Sequence, residues 1–209
     1  MKRVTFLNNK KVIIIGAGGH ASVCLEILIK KKINIIGFTN LDNKKISFEG
    51  VKFLGDDSEI LNYDKNDVNL VNAIGPSPKN NFREEVSKKF SGLGYSFLPL
   101  IHPSAIIADN VKISQGVQIM AGSIVQPGSI IGSHSVINTN SSIDHDCLIG
   151  NFVHIAPSVT LCGGISVGDN SYVGSGAVII ENLSLGKSSI VGAGVTLRKD
   201  LKDSEKYTG

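Results

Sequence analysis

Residues 101–124 read IHPSAI IADNVK ISQGVQ IMAGSI, four consecutive hexapeptides that each begin with isoleucine. The same six-residue step continues to Leu197, and all seventeen first positions are isoleucine, valine or leucine, without an insertion. Ten of the seventeen fourth positions are glycine or asparagine, which best tolerate a left-handed backbone at a corner. The fifth positions, from Ala105 to Leu201, are small or aliphatic. The pattern predicts very short strands separated by tight corners.

A period of six matches neither the 3.6-residue helix nor the two-residue alternation of an ordinary strand. It fits a coil of three short strands and three corners, in which one aliphatic side chain per strand points inward. Hexapeptide repeats are the sequence sign of a parallel β-helix, and seventeen of them give between five and six coils. The repeat resembles that of the hexapeptide-repeat acyltransferases, whose β-helix is left-handed, an exception to the right-handed crossover rule. A generic β-sandwich would need variable loops, and the repeat has none.

The first half alternates strands and helices, which is typical of a small Rossmann-like α/β domain with a parallel sheet. Charge separates it from the second half, because residues 1–97 hold 15 basic and 10 acidic residues whereas residues 98–209 hold 6 and 8. We therefore predict a Rossmann-like domain over residues 1–98 and a left-handed β-helix over residues 99–209. Within the first domain we predict strands at residues 11–15, 33–38 and 68–74, and helices at residues 21–32 and 80–90.

Composition excludes several classes of protein. The 209 residues are 42% hydrophobic and 19% charged, which is too apolar for a disordered chain. No apolar stretch reaches the roughly 18–20 residues of a membrane span, and the N-terminus lacks the apolar run of a signal peptide. The net charge of +3 is too small to indicate a nucleic-acid partner. Three cysteines with neither metal-ligand spacing nor even pairing favour a reducing cytoplasm.

A glycine-rich turn, Gly16-Ala17-Gly18-Gly19-His20, lies between the first predicted strand and the first predicted helix. With Ala21 it matches the loose dinucleotide fingerprint, in which glycines admit a phosphate and the helix N-terminus supplies N–H donors. In dinucleotide-binding domains a ribose-binding acid ends the second strand. Here residues 38–42 read FTNLD, so the acid, Asp42, comes several residues after the predicted end of that strand. The turn therefore indicates a diphosphate-bearing ligand of some kind and is only weak evidence for NAD. His20 either contacts that ligand or has a structural role.

The β-helix carries an isolated group of titratable residues. Between Ile113 and Gly168 there is no lysine or arginine, and the only acids are Asp144 and Asp146, which flank His145. A carboxylate beside a histidine raises its basicity and fixes its tautomer, as a general base near neutral pH requires. The alternative is a solvated corner, because aspartate tolerates the fourth position of a hexapeptide. We favour the catalytic interpretation.

Two further histidines raise the question of a zinc site, which would need imidazoles that converge on one point. One coil is eighteen residues, whereas His134 lies eleven residues before His145 and His154 lies nine residues after it. Half a coil places His145 and His154 on different sides of the prism, so they share a site only if another subunit brings a second copy. The spacing disfavours a metal site within one chain and favours a cleft between subunits.

Three motifs together give the chain a specific family resemblance: the glycine-rich turn, Ile101-His102-Pro103-Ser104-Ala105, and Ile143-Asp144-His145-Asp146-Cys147. From about Lys11 to Gly209 it resembles the sialic acid O-acetyltransferase-like family of sugar acyltransferases. That family includes acetyl-CoA-dependent N-acetyltransferases of UDP-4-amino-4,6-dideoxy sugars and of GDP-perosamine. The resemblance implies a nucleotide-sugar-binding domain over residues 1–98, an acyltransferase domain over residues 99–209, a homotrimer, and acetyl-CoA as co-substrate with no metal.

The resemblance also implies roles for individual residues. His145 would be the base that takes a proton from the 4-amino group of the sugar, and Asp146 would raise its basicity. The other matches are Asn138, which would position the sugar; His154, which would contact acetyl-CoA from the neighbouring subunit; Ser175 and Ala193, whose backbone would bind the pantetheine arm; Gly18, Gly19 and His20, which would hold the nucleotide sugar; and Asn40, where relatives often carry paired acids.

We predict that the chain transfers acetyl from acetyl-CoA to the 4-amino group of a nucleotide-linked amino-deoxy sugar, preferably UDP-linked, for surface glycan biosynthesis. Transfer would be direct, because neither Cys147 nor Cys162 has a well-placed base. One alternative is an O-acetyltransferase acting on a sugar hydroxyl, for example of a sialic acid, although a free sialic acid would not need the glycine-rich turn. Another is a nucleotide-binding or scaffold protein whose β-helix only oligomerises, which the isolated charges at residues 144–146 disfavour.

Overall fold

The computed structural model describes residues 10–41 and 48–209. The chain divides near Ile101 into two compact units. Residues 10–41, 48–76 and 80–100 form the first, and Ile101–Gly209 with residues 77–79 form the second. Within the described ranges, no helix is both long enough and apolar enough to cross a membrane.

The first unit is built on a five-stranded parallel sheet with the strand order β3-β2-β1-β4-β5. Four successive residues of β1 are buried, as expected for a central strand of a parallel sheet. The strand order reverses between β1 and β4, which is where open α/β sheets bind ligands. The elements in chain order are β1 (Lys11–Ile15), α1 (Gly19–Lys30), β2 (Ile35–Thr39), β3 (Phe53–Gly55), a 3₁₀ helix (Asp57–Asn62), β4 (Val68–Asn72), α2 (Phe82–Gly92) and β5 (Ser96–Phe97).

The sequence predicted these elements unevenly. The strand predicted at residues 11–15 coincides with β1, but α1 begins two residues before the predicted start. Its N-cap is Gly18, which offers no side-chain oxygen, so the sequence carries no marker for the first turn. The α2 helix likewise lies two residues after its predicted range. We did not predict β3, the 3₁₀ helix or β5, because they are too short to show a periodicity.

The second unit is a left-handed parallel β-helix with three faces, as the hexapeptides predicted. The first face contains β7 (Ile106–Ile107), β10 (Ile124–Val125), β13 (Ser142–Ile143), β16 (Thr160–Leu161), β19 (Val178–Ile179) and β22 (Thr196–Leu197). The second face contains β8 (Lys112–Ile113), β11 (Ile130–Ile131), β14 (Leu148–Ile149), β17 (Ser166–Val167) and β20 (Ser184–Leu185). The third face contains β6 (Leu100–Ile101), β9 (Gln118–Ile119), β12 (Val136–Ile137), β15 (His154–Ile155), β18 (Tyr172–Val173), β21 (Ile190–Val191) and β23 (Lys206–Tyr207).

Successive strands on each face pair in parallel at an offset of eighteen residues. Val125 pairs with Ile143, and Ile143 pairs with Leu161. All three side chains are buried and belong to the column of aliphatic residues that fills the prism. Full burial of one such side chain stabilises the fold by roughly 1.5–3 kcal/mol. The regular stack therefore fixes the height and the corner at which every other residue of the repeat lies.

The corners have the left-handed backbone that the fourth positions predicted, from Gly116 to Gly194. The prediction is wrong for Ser104, Asn110 and Asp200, which do not have a positive φ; at Asp200 the reason is that the last coil is two residues shorter. Ile190 pairs with Lys206, an offset of sixteen residues, and Ser204 takes the left-handed corner with φ 60°.

Candidate active site

His145 and Asp146 lie together at the corner between β13 and β14. Asp146 has φ 58°, which is left-handed, and this turn of the backbone brings its carboxylate back to the neighbouring imidazole. The Nδ1 atom of His145 lies 2.9 Å from Oδ2 of Asp146. On the other side, Oδ1 of Asp144 accepts a hydrogen bond from the His145 backbone N–H at 2.8 Å. The two acids therefore hold both the ring and the main chain of His145.

The contact with Asp146 determines which ring nitrogen is available for chemistry. An ionised carboxylate only accepts hydrogen bonds, so Nδ1 carries the proton and Nε2 keeps its lone pair. The same hydrogen bond raises the pKa of His145 above its ordinary value of 6.5, with smaller contributions from the charges of Asp144 and Asp146. The His145 side chain is 62% exposed. A basic Nε2 is thus presented to an incoming molecule, which is the arrangement a general base needs.

The two cysteines beside this corner are poorly suited to act as nucleophiles. Cys147 is fully buried, and its Sγ donates to the backbone oxygen of Cys162 at 3.2 Å. Burial raises the pKa of the Cys147 thiol, and desolvation also raises the pKa of Cys162. Because the thiolate is the reactive form, the site offers a base but no activated thiol.

Asn138 and His154, to which the family resemblance assigns different ligands, are hydrogen-bonded to each other. The amide Nδ2 of Asn138 lies 3.2 Å from Nε2 of His154, and its Oδ1 accepts from the Thr139 backbone N–H at 2.8 Å. His154 belongs to β15 on the third face, where its ring meets that of Tyr172 edge-on at 4.8 Å. The structure therefore places His154 on a different face from His145, as the nine-residue spacing predicted.

Ser175 and Ala193 occupy one corner, between the third and first faces, in successive coils. The backbone oxygen of Ser175 accepts a hydrogen bond from Gly194 N–H at 2.8 Å, and both residues are exposed. In the described part of the chain, neither Ser175 N–H nor Ala193 N–H has a backbone acceptor. Asn138, with His154 bonded to it, leads into the same corner two coils before Ser175, so these residues lie along one edge of the prism, separate from the corner of His145.

The glycine-rich turn leaves the start of α1 open. Among residues 10–41 and 48–209, a Cβ at Gly18 or Gly19 would meet nothing within 4 Å, and α1 has neither a side-chain cap nor an acid in its first turn. Gly16 has φ +99°, and a Cβ there would come 3.2 Å from Ile74 N. This turn therefore needs glycine to lie against the chain that follows β4. His20 is half-buried in the first turn of α1.

The second strand ends beside this turn. The backbone N–H of Gly16 donates to the Thr39 oxygen at 2.8 Å, and Asn40 N–H donates to the Gly55 oxygen at 3.0 Å. Asn40 is half-buried. Asp42, the late acid noted in the sequence, lies outside the described residues.

Arg83, which no sequence motif identified, fixes the conformation of the segment after β4. Its Nη1 donates to the backbone oxygens of Asn72 at 2.7 Å and Ile74 at 2.8 Å. The Asn72 amide returns a hydrogen bond to the Arg83 oxygen and another to Ser87 Oγ. Burial lowers the pKa of Arg83 to about 10. Arg83 lies eleven residues from Asn72, with no local pattern linking them, so only the folded structure reveals this clamp at the point where the strand order reverses.

In the described residues, no group of three or more histidine, cysteine, aspartate or glutamate side chains could hold a metal ion.

Comparison with known proteins identifies both units separately. Residues 11–90 match the family model of the PglD N-terminal domain, and residues 146–181 match that of the bacterial transferase hexapeptide (six repeats). The GDP-perosamine N-acetyltransferase of Escherichia coli O157:H7 is 30% identical over 97 residues. That match covers 46% of this chain and 44% of the E. coli protein, less than half of that relative's length.

Solved structures match nearly the whole chain. One is a histidine-to-asparagine mutant of perosamine N-acetyltransferase from Caulobacter crescentus in complex with CoA and GDP-perosamine. It is 34% identical, with a TM-score of 0.88, and the match covers 95% of this chain and 93% of that one. Another is the acetyltransferase domain of PglB from Neisseria gonorrhoeae FA1090 in complex with acetyl coenzyme A. It is 30% identical, with a TM-score of 0.88 and 97% coverage of both chains.

Proposed function

The chain belongs to the family of sugar acyltransferases that join a PglD N-terminal domain to hexapeptide repeats, and on that premise we propose that it acetylates a nucleotide-linked amino sugar. The donor is acetyl-CoA, and the acceptor is the 4-amino group of an amino-deoxy sugar. The observation that carries this proposal is the His145–Asp146 pair, whose bonded Nδ1 leaves a basic Nε2 on an exposed corner. The CoA complexes of the Caulobacter and Neisseria relatives support the choice of donor.

The reaction proceeds by direct transfer in a ternary complex. The neutral 4-amino group attacks the thioester carbonyl, and a C–N bond forms while His145 Nε2 takes a proton from the attacking nitrogen. The C–S bond then breaks, and the CoA thiolate leaves and takes up that proton. Asp146 stabilises the imidazolium that exists between the two steps. No enzyme nucleophile takes part, in agreement with the buried Cys147 and its raised pKa.

The complete site forms between subunits of a homotrimer. In a single chain the His145 side chain is 62% exposed, and Asn138, His154, Ser175 and Ala193 lie along another edge of the prism, in successive coils. A neighbouring subunit that presents this edge to His145 excludes water from the site and binds the pantetheine arm of acetyl-CoA. The free N–H groups of Ser175 and Ala193 point to backbone hydrogen bonds with that arm, and His154 contacts acetyl-CoA. Asn138 positions the sugar.

The nucleotide binds the first unit. Its diphosphate lies at the open start of α1, against Gly18, Gly19 and His20, and Asn40 lies at the end of the neighbouring strand. A UDP-linked sugar is the acceptor expected from the sequence, whereas the Caulobacter complexes contain GDP-perosamine. The product would serve glycan biosynthesis.

The test is a product analysis with the wild-type chain. It is incubated with acetyl-CoA and, separately, with a UDP-linked 4-amino-4,6-dideoxy sugar, GDP-perosamine, a CMP-sialic acid and free sialic acid, and the products are analysed by mass spectrometry. We expect one acetyl group, in amide linkage, on a UDP- or GDP-linked amino sugar. An ester on a sialic acid hydroxyl, with no amide product, would instead establish the O-acetyltransferase alternative.

A further inference from the structure

Asp57 is a buried carboxylate that the sequence did not single out. It begins the 3₁₀ helix and is 7% exposed. Its Oδ1 accepts a hydrogen bond from the hydroxyl of Thr39 at 2.6 Å. Thr39 is fully buried and is the last residue of β2. The structure therefore brings an acid to the carboxyl end of the second strand from eighteen residues further along the chain.

This carboxylate lies beside the glycine-rich turn. The backbone oxygen of Thr39 accepts from Gly16 N–H at 2.8 Å, so two hydrogen bonds connect Asp57 to the first residue of that turn. Both contacts lie at the edge of the sheet where β1 and β2 end. That edge borders the reversal of strand order, at which a sheet of this type binds its ligand.

The helix does not need Asp57 as a cap, because its neighbour performs that role. Oδ1 of Asp56 accepts from the backbone N–H of Ser58 at 2.7 Å and from its hydroxyl at 2.6 Å. Asp56 is exposed, as is normal for a capping acid. A local structural requirement therefore explains Asp56 and leaves Asp57 without an explanation.

One oxygen of the Asp57 carboxylate has no hydrogen-bond donor among the described residues and, unlike Nη2 of Arg83, is not sealed inside the protein. Two carboxylate oxygens offer about four lone-pair sites, yet within residues 10–41 and 48–209 the hydroxyl of Thr39 is the one hydrogen-bond donor to them, and no basic side chain forms an ion pair with Asp57. Burying a carboxylate is costly unless hydrogen bonds or a counter-charge compensate it. The second oxygen is therefore suited to the O–H donors of a ligand.

We infer that Asp57 binds the ribose hydroxyls of the nucleotide that carries the sugar. It takes the role that an acid at the end of the second strand has in dinucleotide-binding domains, although here Asn40 and Leu41 follow that strand directly. The inference rests on the proposed function, since it needs a nucleotide at the glycine-rich turn. Thr39 holds one oxygen of the carboxylate, and the ribose diol donates to the other.

The experiment measures the dissociation constants of UDP and 2′,3′-dideoxy-UDP, and of the same pair of guanosine nucleotides, by calorimetry. The proteins are the wild type, Asp57→Asn and the control Asp56→Asn. An asparagine at residue 57 keeps an acceptor for Thr39 and removes the charge. We expect the wild type to bind the ribonucleotide that it prefers at least about tenfold more tightly than its dideoxy form, because a hydrogen bond to a charged group is stronger than one to a neutral group. Asp57→Asn should lose that preference through weaker binding of the ribonucleotide, and Asp56→Asn should keep it.

Each other outcome overturns the inference. If the wild type binds a ribonucleotide and its dideoxy form equally, Asp57 does not contact the ribose, and the proposed function stands. The same holds if Asp57→Asn keeps the wild-type preference. If the wild type binds neither uridine nor guanosine nucleotides, the proposed function fails as well. Because the comparison in the wild type needs no variant, the test remains decisive even if Asp57→Asn does not fold, which its affinity for acetyl-CoA and its melting temperature would reveal.

Discussion

The imidazole of His145 lies directly against Gly163, the residue eighteen positions later on the next coil. A Cβ at residue 163 would come 2.6 Å from Nε2 of His145 and 2.7 Å from Cε1. The ring therefore rests on a stretch of backbone that has no side chain, while Asp146 holds its other edge. The position of the basic nitrogen depends on both contacts, one from the same coil and one from the next.

Gly163→Ala should displace the imidazole without disturbing the corner backbone. The added methyl group cannot coexist with the ring at 2.6 Å, so His145 must rotate away from its present position. We expect turnover to fall about 100-fold, which is the usual effect of moving a catalytic group by about 1 Å. Gly92→Ala is the control, because a Cβ there meets nothing within 4 Å. Wild-type turnover in Gly163→Ala would show that the contact between His145 and Gly163 does not position the base.

The pH profile should report the contact between His145 and Asp146. His145 acts as a base only when its ring is neutral, so kcat/KM falls as the pH drops through the pKa of His145. The hydrogen bond from Asp146 raises that pKa. Asp146→Asn should therefore move the acidic limb of kcat/KM to lower pH, and the weaker base should reduce the plateau roughly tenfold.

Asp144→Asn is the matched control for this prediction. Asp144 bonds the backbone N–H of His145 and raises its pKa less than Asp146 does. Its variant should shift the acidic limb in the same direction by a smaller amount. An acidic limb that stays in place in Asp146→Asn would mean that another group sets the profile.

Cys147→Ala should reduce the stability of the protein but not its turnover. The side chain is fully buried, so its removal should reduce stability by about 1 kcal/mol through lost packing. Turnover should remain within a few-fold of the wild type. Thermal unfolding and steady-state kinetics measure the two effects. A folded variant without activity, together with an acetylated thiol in the wild type, would contradict direct transfer.

Co-expression of two inactive variants should test the cleft between subunits. His145→Ala and His154→Ala alter different faces of the prism, so each chain keeps the half of the site that the other lacks. Mixed trimers, separated by distinct affinity tags, should recover activity that neither variant has alone, and sedimentation should give the mass of a trimer. If the mixed trimers are as inactive as trimers of either variant alone, both histidines act in a site formed by one chain.

The sequence predicted the β-helix well because each hexapeptide is a local unit whose side chains face inward at a fixed period. It failed at the ends of the repeat: Ser104 and Asn110 do not have the left-handed backbone, and nothing in the composition of the last coil signals that it is two residues shorter at Asp200. The His145–Asp146 pair was predictable because the two residues are adjacent and the surrounding repeat is free of charge.

The first unit was less predictable at its ligand edge. Arg83 reaches Asn72 and Ile74, and Asp57 reaches Thr39, across loops with no periodic pattern. Nothing in the sequence distinguishes either residue from the other charged residues of the basic half. Their burial and the identity of their partners, backbone oxygens for Arg83 and the Thr39 hydroxyl for Asp57, follow only from the order of strands in the sheet.

The most direct test of the catalytic account is the turnover of His145→Ala with acetyl-CoA and the nucleotide-linked amino sugar that the wild type acetylates. Loss of a general base should lower kcat by roughly 10²–10⁴-fold, with the melting temperature and the affinity for the nucleotide close to those of the wild type. Near-wild-type turnover in that variant would contradict the assignment of His145 as the base.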